Sequence, residues 1–339
     1  MTSQPSQHTD RQQTDTMRAI VQDTYGDADV LRLEQTARPT IADHEVLVRV
    51  HAAGMDRGTV HMLTGKPYLM RILGFGFRGP KNRVPRLDVA GTVVEIGASV
   101  TRFAVGDEVF GISRGSFAEY AAAREDKLAP KPPSLTWEQA AVVPVSGLTA
   151  LQALRDAGRV EAGQRVLVIG ASGGVGSYAV QIAASQGARV TGVASTAKLD
   201  LVRSLGAEHV VDYTCQDFAD GSRRYDLILD IGGNSSLSRL RRALNPRGTL
   251  VIVGGESGGS LTGGIDRQVR ALMLSGFVSQ RLTMHTTKER AVDLEPLTEL
   301  IESGQVAPSL ERTYSLEQVP DALRALAAGS VRGKVAVAL

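Results

Sequence analysis

The stretch RVLVIGASGGVGSYAVQIAASQGARVTGVAS, residues 165–195, limits the folds open to this chain more than any other. Val166–Ile169 is an apolar, β-branched run of the kind found in strands buried on both faces. A turn of small residues follows, and Val175, Ala179, Ile182 and Ala183 then recur at helical spacing up to Gly187. Arg189–Ala194 reads as a second strand. Strand, crossover helix and strand make a βαβ unit with a parallel pair. The turn at 171–176 reads Ala-Ser-Gly-Gly-Val-Gly, which is G-x-G-x-x-G with Ala171 in place of the first glycine. Gly173 lets the backbone approach a pyrophosphate, and Gly176 lets the helix pack tightly on the strand. Free amides at the helix start attract phosphate oxygens, helped by the helix dipole.

Glycine turns also arise for steric reasons alone. Here the turn follows a strand, opens a helix and leads to a second strand, which is the context a dinucleotide site requires. Ser172, Gly173, Gly174, Val175 and Gly176 are its candidate residues. A site for NAD wants an acid near the end of the second strand, to hold the ribose 2′-hydroxyl. This chain has Ala194-Ser195-Thr196-Ala197-Lys198 there, with no Asp or Glu between Gly187 and Leu199. Ser195, by hydrogen bonds, and Lys198, by charge, suit a 2′-phosphate instead. NADPH is the expected cofactor. The alternative for Lys198 is a solvated place in the first turn of the next helix.

A chain of 339 residues exceeds what one core supports, so two domains are expected. Its 42% hydrophobic and 22% charged residues are ordinary for a soluble globular protein, and a formal charge of +2 makes no case for nucleic acid or membrane as partner. The single cysteine, Cys215, rules out intrachain disulfides and cysteine-rich zinc sites, and points to a reducing, cytoplasmic location. No apolar run approaches the roughly 18–20 residues of a membrane span. Residues 1–16 are polar and lack the apolar core of a signal peptide, so a disordered tail is expected.

From Met17 to about Gly115 short strand-like runs alternate with glycine and proline turns, most clearly at Glu45–Val50, Val89–Ile96 and Glu108–Phe110. Pro130, Pro132 and Pro133 mark a passage, and the chain turns helical after Trp137. Beyond the βαβ unit, strands are expected at 207–211, 225–231, 249–253, 276–281 and 332–338. Helices are expected at 201–205, 237–244, 266–274, 294–303 and 316–328. Ligands in open parallel sheets bind at the carboxyl ends of strands, which makes Gly232 and Gly254 cofactor candidates. Tight turns are the alternative for each.

Further motifs are AlaAlaGlyMetAsp at 52–56, AspValAlaGlyThrValValGluIleGly at 88–97, PheAlaValGlyAspGluVal at 103–109 and ArgGlyLysVal at 332–335. Together with the glycine turn they make the chain resemble the zinc-independent medium-chain dehydrogenases/reductases, in the quinone oxidoreductase and enoyl reductase branch. The resemblance runs from about Met17 to Leu339. It implies an α/β protein with a GroES-like β-rich domain at 17–139, completed by 290–339, and an NADPH-binding Rossmann domain with a doubly wound parallel sheet at 140–289. The active site lies in the cleft between them. In zinc-dependent relatives a Cys–His pair binds metal, and the flanking motifs put those positions at Asp56 and Leu87. Leucine cannot ligate a metal, so none is expected. Reduction of an activated C=C bond or a quinone needs no Lewis acid, because the substrate carbonyl delocalises the charge that hydride transfer brings.

By the same resemblance, Ser146 and Thr149 start the helix that contacts the nicotinamide ribose and ring, with a helix cap as the alternative for Ser146. Tyr213 approaches the adenine ribose or packs at a strand end, and Lys334 approaches the cleft or lies on the surface. Asp56 is a candidate for cofactor contact or proton transfer, and Tyr68 and His61 for proton donation; structural roles stand beside each. The segment 70–83 mixes Ile72, Leu73, Phe75 and Phe77 with Arg71, Arg78, Lys81 and Arg83, as a lid with apolar inside and basic outside would, or a surface loop. The expected activity is NADPH-dependent reduction of enones, quinones or related small molecules. Two alternatives stand: a tailoring reductase for carrier- or CoA-bound intermediates, and a cofactor-binding sensor without turnover. A homodimer is implied, paired through an apolar edge strand at 275–280.

Overall fold

The computed structural model describes residues 16–85, 88–233, 235–255 and 259–339, and every count below is of those residues. The polar stretch 1–15, Arg86, Leu87, Asn234 and the side chain of Leu73 lie outside the described residues. Thr16, assigned to the tail on composition, instead opens a strand. β1 (Thr16–Val21) pairs antiparallel with β2 (Arg32–Ala37), Thr16 opposite Ala37. Burial of Met17, Ala19, Ile20 and Val21 drives that pairing, and Thr16 extends its ladder by one residue. β3 (Glu45–Met55), β4 (Asp88–Ile96), β5 (Glu108–Ile112), β6 (Tyr120–Arg124) and β7 (Leu128–Pro130) form an antiparallel sheet around β3 and β4. Two helices attach to it, α1 (Arg57–Thr64) and α2 (Trp137–Ala141).

The chain then changes texture. α3 (Pro144–Gln152), β8 (Arg165–Ile169), α4 (Gly174–Ser185), β9 (Arg189–Ala194), α5 (Leu199–Ser204), β10 (His209–Asp212) and β11 (Tyr225–Asp230) follow one another. After them come α6 (Leu237–Ala243), β12 (Leu244–Ile252), α7 (Gly259–Thr262), α8 (Ile265–Ser275) and β13 (Arg281–Met284). The strands form one parallel sheet of six, in the order β10-β9-β8-β11-β12-β13. From β8 the chain winds outward to β10, then returns and winds the other way, so the order reverses between β8 and β11. A parallel sheet takes ligands at that reversal. Both faces are covered. Val166 and Val168 pack with Leu148, Ala179, Ile182 and Ala183, whereas Leu167 and Ile169 pack with Ile228, Leu240, Leu250 and Ala271. Each large apolar side chain buried this way contributes about 1.5–3 kcal/mol, which is why β8 reads as an unbroken apolar run.

α9 (Ala291–Glu302), β14 (Leu310–Ser315), α10 (Val319–Ala327) and β15 (Lys334–Ala338) end the chain. β15 lies antiparallel to β3, with Val335 opposite Met55, and so joins the last residues to the N-terminal sheet. One expected strand is wrong. Residues 276–280 form turns after α8, and the edge strand is β13, where Thr249–Ile252 of β12 find parallel partners at 281–284. The run Gly-Phe-Val looked buried, yet Phe277 is 87% exposed and its amide closes a turn on the Leu274 carbonyl. A short apolar run cannot by itself distinguish a strand from a helix end.

Candidate active site

β8 ends against Gly170, whose φ of +87° suits glycine, and α4 begins at Gly174 with no side chain capping it. The first amides of α4 are left for a ligand or solvent. A Cβ on Gly176 would sit 2.1 Å from the Gly170 carbonyl oxygen, so only glycine lets the helix approach the strand. A Cβ on Gly173 would meet only that same oxygen, at 3.5 Å, and the space before the turn is open. The far end of the chain closes onto the turn: the Gly333 amide donates to the Ser172 carbonyl (2.8 Å), and Gly333 bridges to Gly173. Ser172 is nearly buried, and Gly174 and Val175 are partly so.

A buried polar cluster surrounds Gly174. A Cβ there would lie 2.8 Å from Lys334 Cδ and 3.0 Å from Ser146 Oγ. Lys334 is 1% exposed, and its Nζ has no hydrogen-bond partner among the described residues. It lies 3.6 Å from Asp88 Oδ2 and 3.9 Å from Asp56 Oδ2. The surface alternative for Lys334 is therefore excluded. Ser146 is fully buried in the first turn of α3, behind Pro144, and its Oγ is likewise unpartnered. It does not cap the helix; Asp88 does that work from another strand, its Oδ1 accepting from the Val145 amide (3.1 Å). Thr149 donates to the Val145 carbonyl (2.6 Å) and meets Thr287 Oγ1 at 2.8 Å.

Asp88 escaped the sequence reading except as part of a motif. The signal was an acid opening a strand just before the apolar Val89 and Ala90, where a carboxylate needs a reason to be. Burial pushes its pKa up to about 7; Lys334 opposes that shift and Asp56 adds to it. Tyr178 is buried nearby and donates to the Val142 carbonyl (3.2 Å). Asp56 is the N-cap of α1 in a capping box with Thr59, its Oδ1 accepting from the Thr59 amide (3.2 Å).

The other end of the site is more open. Ser195 is half-buried and precedes a 3-10 turn, Thr196–Lys198, without capping it by its side chain. Lys198 Nζ donates to the carbonyls of Gly329 (2.8 Å) and Val331 (2.7 Å), and burial lowers its pKa. It is not a solvated helix residue but a tie to the C-terminal segment. Tyr213 follows β10 and is 61% exposed. Asp212, beside Ala194 in the sheet, was also missed. Its carboxylate is taken up by Thr196 Oγ1 (2.5 Å), Thr214 Oγ1 (2.7 Å) and the Thr214 amide (3.0 Å), and these bonds lower its pKa.

Gly232 follows β11, and its amide donates to the Ile169 carbonyl (3.1 Å) at the sheet reversal. At Gly254 a Cβ would lie 2.0 Å from the Ile231 carbonyl oxygen, so neighbouring backbone already explains that glycine. Its own carbonyl accepts from Arg267 (3.1 Å), which is paired with the buried Asp230 at 2.5 Å. His61 Nδ1 lies 3.0 Å from the Lys66 carbonyl. Tyr68 is 41% exposed, and its amide donates to Ser260 of α7 (2.8 Å). In the 70–83 segment the expected orientation holds for some residues and not for others: Arg78, Lys81 and Arg83 are exposed and Phe75 is half-buried. Arg71 turns inward onto the carbonyls of Gly65 (2.8 Å) and Thr64 (3.2 Å), and Arg83 pairs with Asp23 (2.6 Å). Ile72 and Phe77 face outward, 70% and 74% exposed.

A dinucleotide fits these residues. Its phosphates would supply acceptors for the free amides of α4 and for Lys334 Nζ, and its ribose hydroxyls partners for Ser146. Among the described residues no group of three or more His, Cys, Asp or Glu converges as a metal site would require. No helix among them is long and apolar enough to cross a membrane.

Residues 42–133 match the alcohol dehydrogenase GroES-like domain, and residues 205–337 match the zinc-binding dehydrogenase family. Over 95% of its length the chain is 32% identical to the mitochondrial NAD(P)H oxidoreductase RTN4IP1 of Mus musculus, covering 89% of that protein. It is 33% identical, over 95% of its length and 79% of the relative, to the chloroplastic NADPH-dependent alkenal/one oxidoreductase of Arabidopsis thaliana. The solved quinone oxidoreductase from Coxiella burnetii aligns with a TM-score of 0.85 at 28% identity, over 96% of this chain and 99% of that one. The chain belongs to the medium-chain dehydrogenase/reductase superfamily of oxidoreductases, in its quinone oxidoreductase-like branch.

Proposed function

We propose that this chain is an NADPH-dependent reductase of activated C=C bonds or quinones that works without zinc. The observation that carries this reading is the pair of buried groups, Lys334 Nζ and Ser146 Oγ, unpartnered among the described residues, on side chains that both pack beside the residue that opens α4. Unsatisfied buried donors are costly, and they persist where a ligand satisfies them. When bound, the nicotinamide supplies a hydride for the electron-poor carbon of the substrate. The chain positions: α3 presents Ser146 and Thr149, the glycine turn receives phosphates, and β15 brings Lys334 beneath them. Ser195, Lys198 and Tyr213 favour a 2′-phosphate, and the taken-up carboxylate of Asp212 leaves the nearby acid poorly placed to reject one. The Rossmann unit at 140–289 holds the cofactor, and the GroES-like unit, 17–139 plus 290–339, receives substrate and lends Lys334 to the cofactor.

Asp56, whose carboxylate faces Lys334 while capping α1, contributes charge rather than a proton on this reading; Tyr68 and His61 remain the proposed donors, with water as the other source. Inward-turned Arg71 and the Arg83–Asp23 pair favour discrete substrates over an acidic carrier, since those cations are already engaged. A homodimer is proposed through the β13 edge, next to the outward apolar residues Val269, Leu272 and Met273 of α8. The single exposed Cys215 suits a reducing compartment such as the cytoplasm. The test is NADPH consumption across quinones, enones and enoyl thioesters, with and without chelator. Oxidation of NADPH with enones or quinones, untouched by chelation, is expected. Activity confined to enoyl thioesters, or lost on chelation and restored by zinc, would replace this reading.

A further inference from the structure

The cofactor-side cluster contains one group that the proposed reaction does not use. Asp88 is 1% exposed, and its two oxygens face different elements. Oδ1 accepts from the first free amide of α3 at Val145, the helix that carries Ser146 and Thr149. Oδ2 makes no hydrogen bond among the described residues and stands 3.6 Å from Lys334 Nζ. That separation is too long to occupy a lysine N–H, yet close enough for strong attraction where water is excluded. Lys334 Nζ thus stands in a buried place beside a carboxylate, with its donors unspent among the described residues. Asp56 is further away, at 3.9 Å, and already engaged in capping α1.

We infer that Asp88 is the positioning residue of the cofactor site, acting through Lys334 and the α3 N-terminus to hold the donors of Lys334 and Ser146 against the phosphate and ribose of the cofactor. The assignment rests on the nicotinamide reading above. Asp88 touches no cofactor atom on this view; it sets where the touching groups stand. Without its charge, the amine of Lys334 keeps only the Asp56 carboxylate beside it among the described residues, and its position is no longer set by Asp88.

A double-mutant cycle at pH 8 tests this, with Kd for NADPH read from fluorescence for the wild type, Lys334→Met, Asp88→Asn and the double variant. Lys334→Met should weaken binding about thirtyfold and Asp88→Asn about tenfold, whereas Asp88→Asn in the Lys334→Met background should change Kd by less than about twofold. Asp88→Glu should recover part of the loss, and KM for the electrophile should stay within about twofold in Asp88→Asn. Should the Asn variant fail to fold, Asp88→Ser offers the same cycle. Equal losses in both backgrounds would show that Asp88 supports the fold and not Lys334, and would overturn the assignment. Tighter NADPH binding in Asp88→Asn would overturn it too, because the carboxylate would then act only as repulsive charge. A wild type that binds neither NADPH nor NADH would defeat the cofactor reading itself, an outcome distinct from additivity in a protein that binds.

Discussion

The two ends of the candidate cofactor site are built on opposite plans. Around Gly174 the polar groups are buried and unpartnered: Lys334 and Ser146 are 1% and 0% exposed, and neither Nζ nor Oγ has a hydrogen-bond partner among the described residues. Around β9 and β10 the polar groups are already satisfied: half-buried Lys198 holds two carbonyls, buried Asp212 accepts from two threonines, and Tyr213 beside them is exposed. A desolvated donor without a partner gives a ligand its full interaction, whereas an exposed one exchanges water for ligand at little gain. Affinity should therefore be concentrated at the turn, and discrimination between NADPH and NADH should be modest and spread over several residues.

The sharpest way to break that contrast is at Gly176. Its Cβ would fall 2.1 Å from a backbone oxygen that cannot step aside, so Gly176→Ala should cost about 3 kcal/mol of stability and remove NADPH binding. Thermal unfolding and cofactor titration measure both; a stable, binding variant would mean the turn has room for a Cβ.

Next in size is the pH dependence of the buried end. The pKa of Asp88 in the folded chain, about 7, lies above its ordinary 3.8, so the group's stabilisation is complete below the ordinary value and is lost as pH rises through about 7. Denaturant unfolding at pH 5 and pH 9 should show the wild type losing on the order of 1–3 kcal/mol relative to Asp88→Asn as pH rises. A difference that is flat in pH would show that Asp88 ionises freely.

Smaller effects are expected at the open end. Lys198→Ala should lower the NADPH-to-NADH preference roughly three- to tenfold, less than a lysine aimed wholly at a phosphate would lose, because two of its donors belong to Gly329 and Val331. The ratio of kcat/KM for the two cofactors reads it, and an unchanged ratio would take Lys198 out of the site. Smallest is Tyr213→Ala. At 61% exposure it should leave the melting temperature within about 1 °C and shift the NADPH Kd less than about threefold. A tenfold loss there would mean the two ends are more alike than their burial indicates.

Local pattern determined much of this protein. The run at 165–195 carried strand, turn, helix and strand in order because each of those states has its own period and its own punctuation. The same run marked Gly173 and Gly176, whose surroundings differ as their places in the motif require. Pattern failed at 276–280, where a short apolar segment satisfied two periods at once and only pairing with β12 fixed the strand at Arg281–Met284. What tertiary structure alone decided is who stands beside whom. Asp56, Asp88, Ser146, Gly174 and Lys334 come from β4, β15, two helices and a cap, up to 278 positions apart, and nothing in their spacing joins them. Their meeting depends on β15 crossing back to pair with β3 and on Gly333 seating on the glycine turn. Sequence records local conformational preference, whereas the energy of a desolvated charge is set by neighbours that only the folded chain assembles.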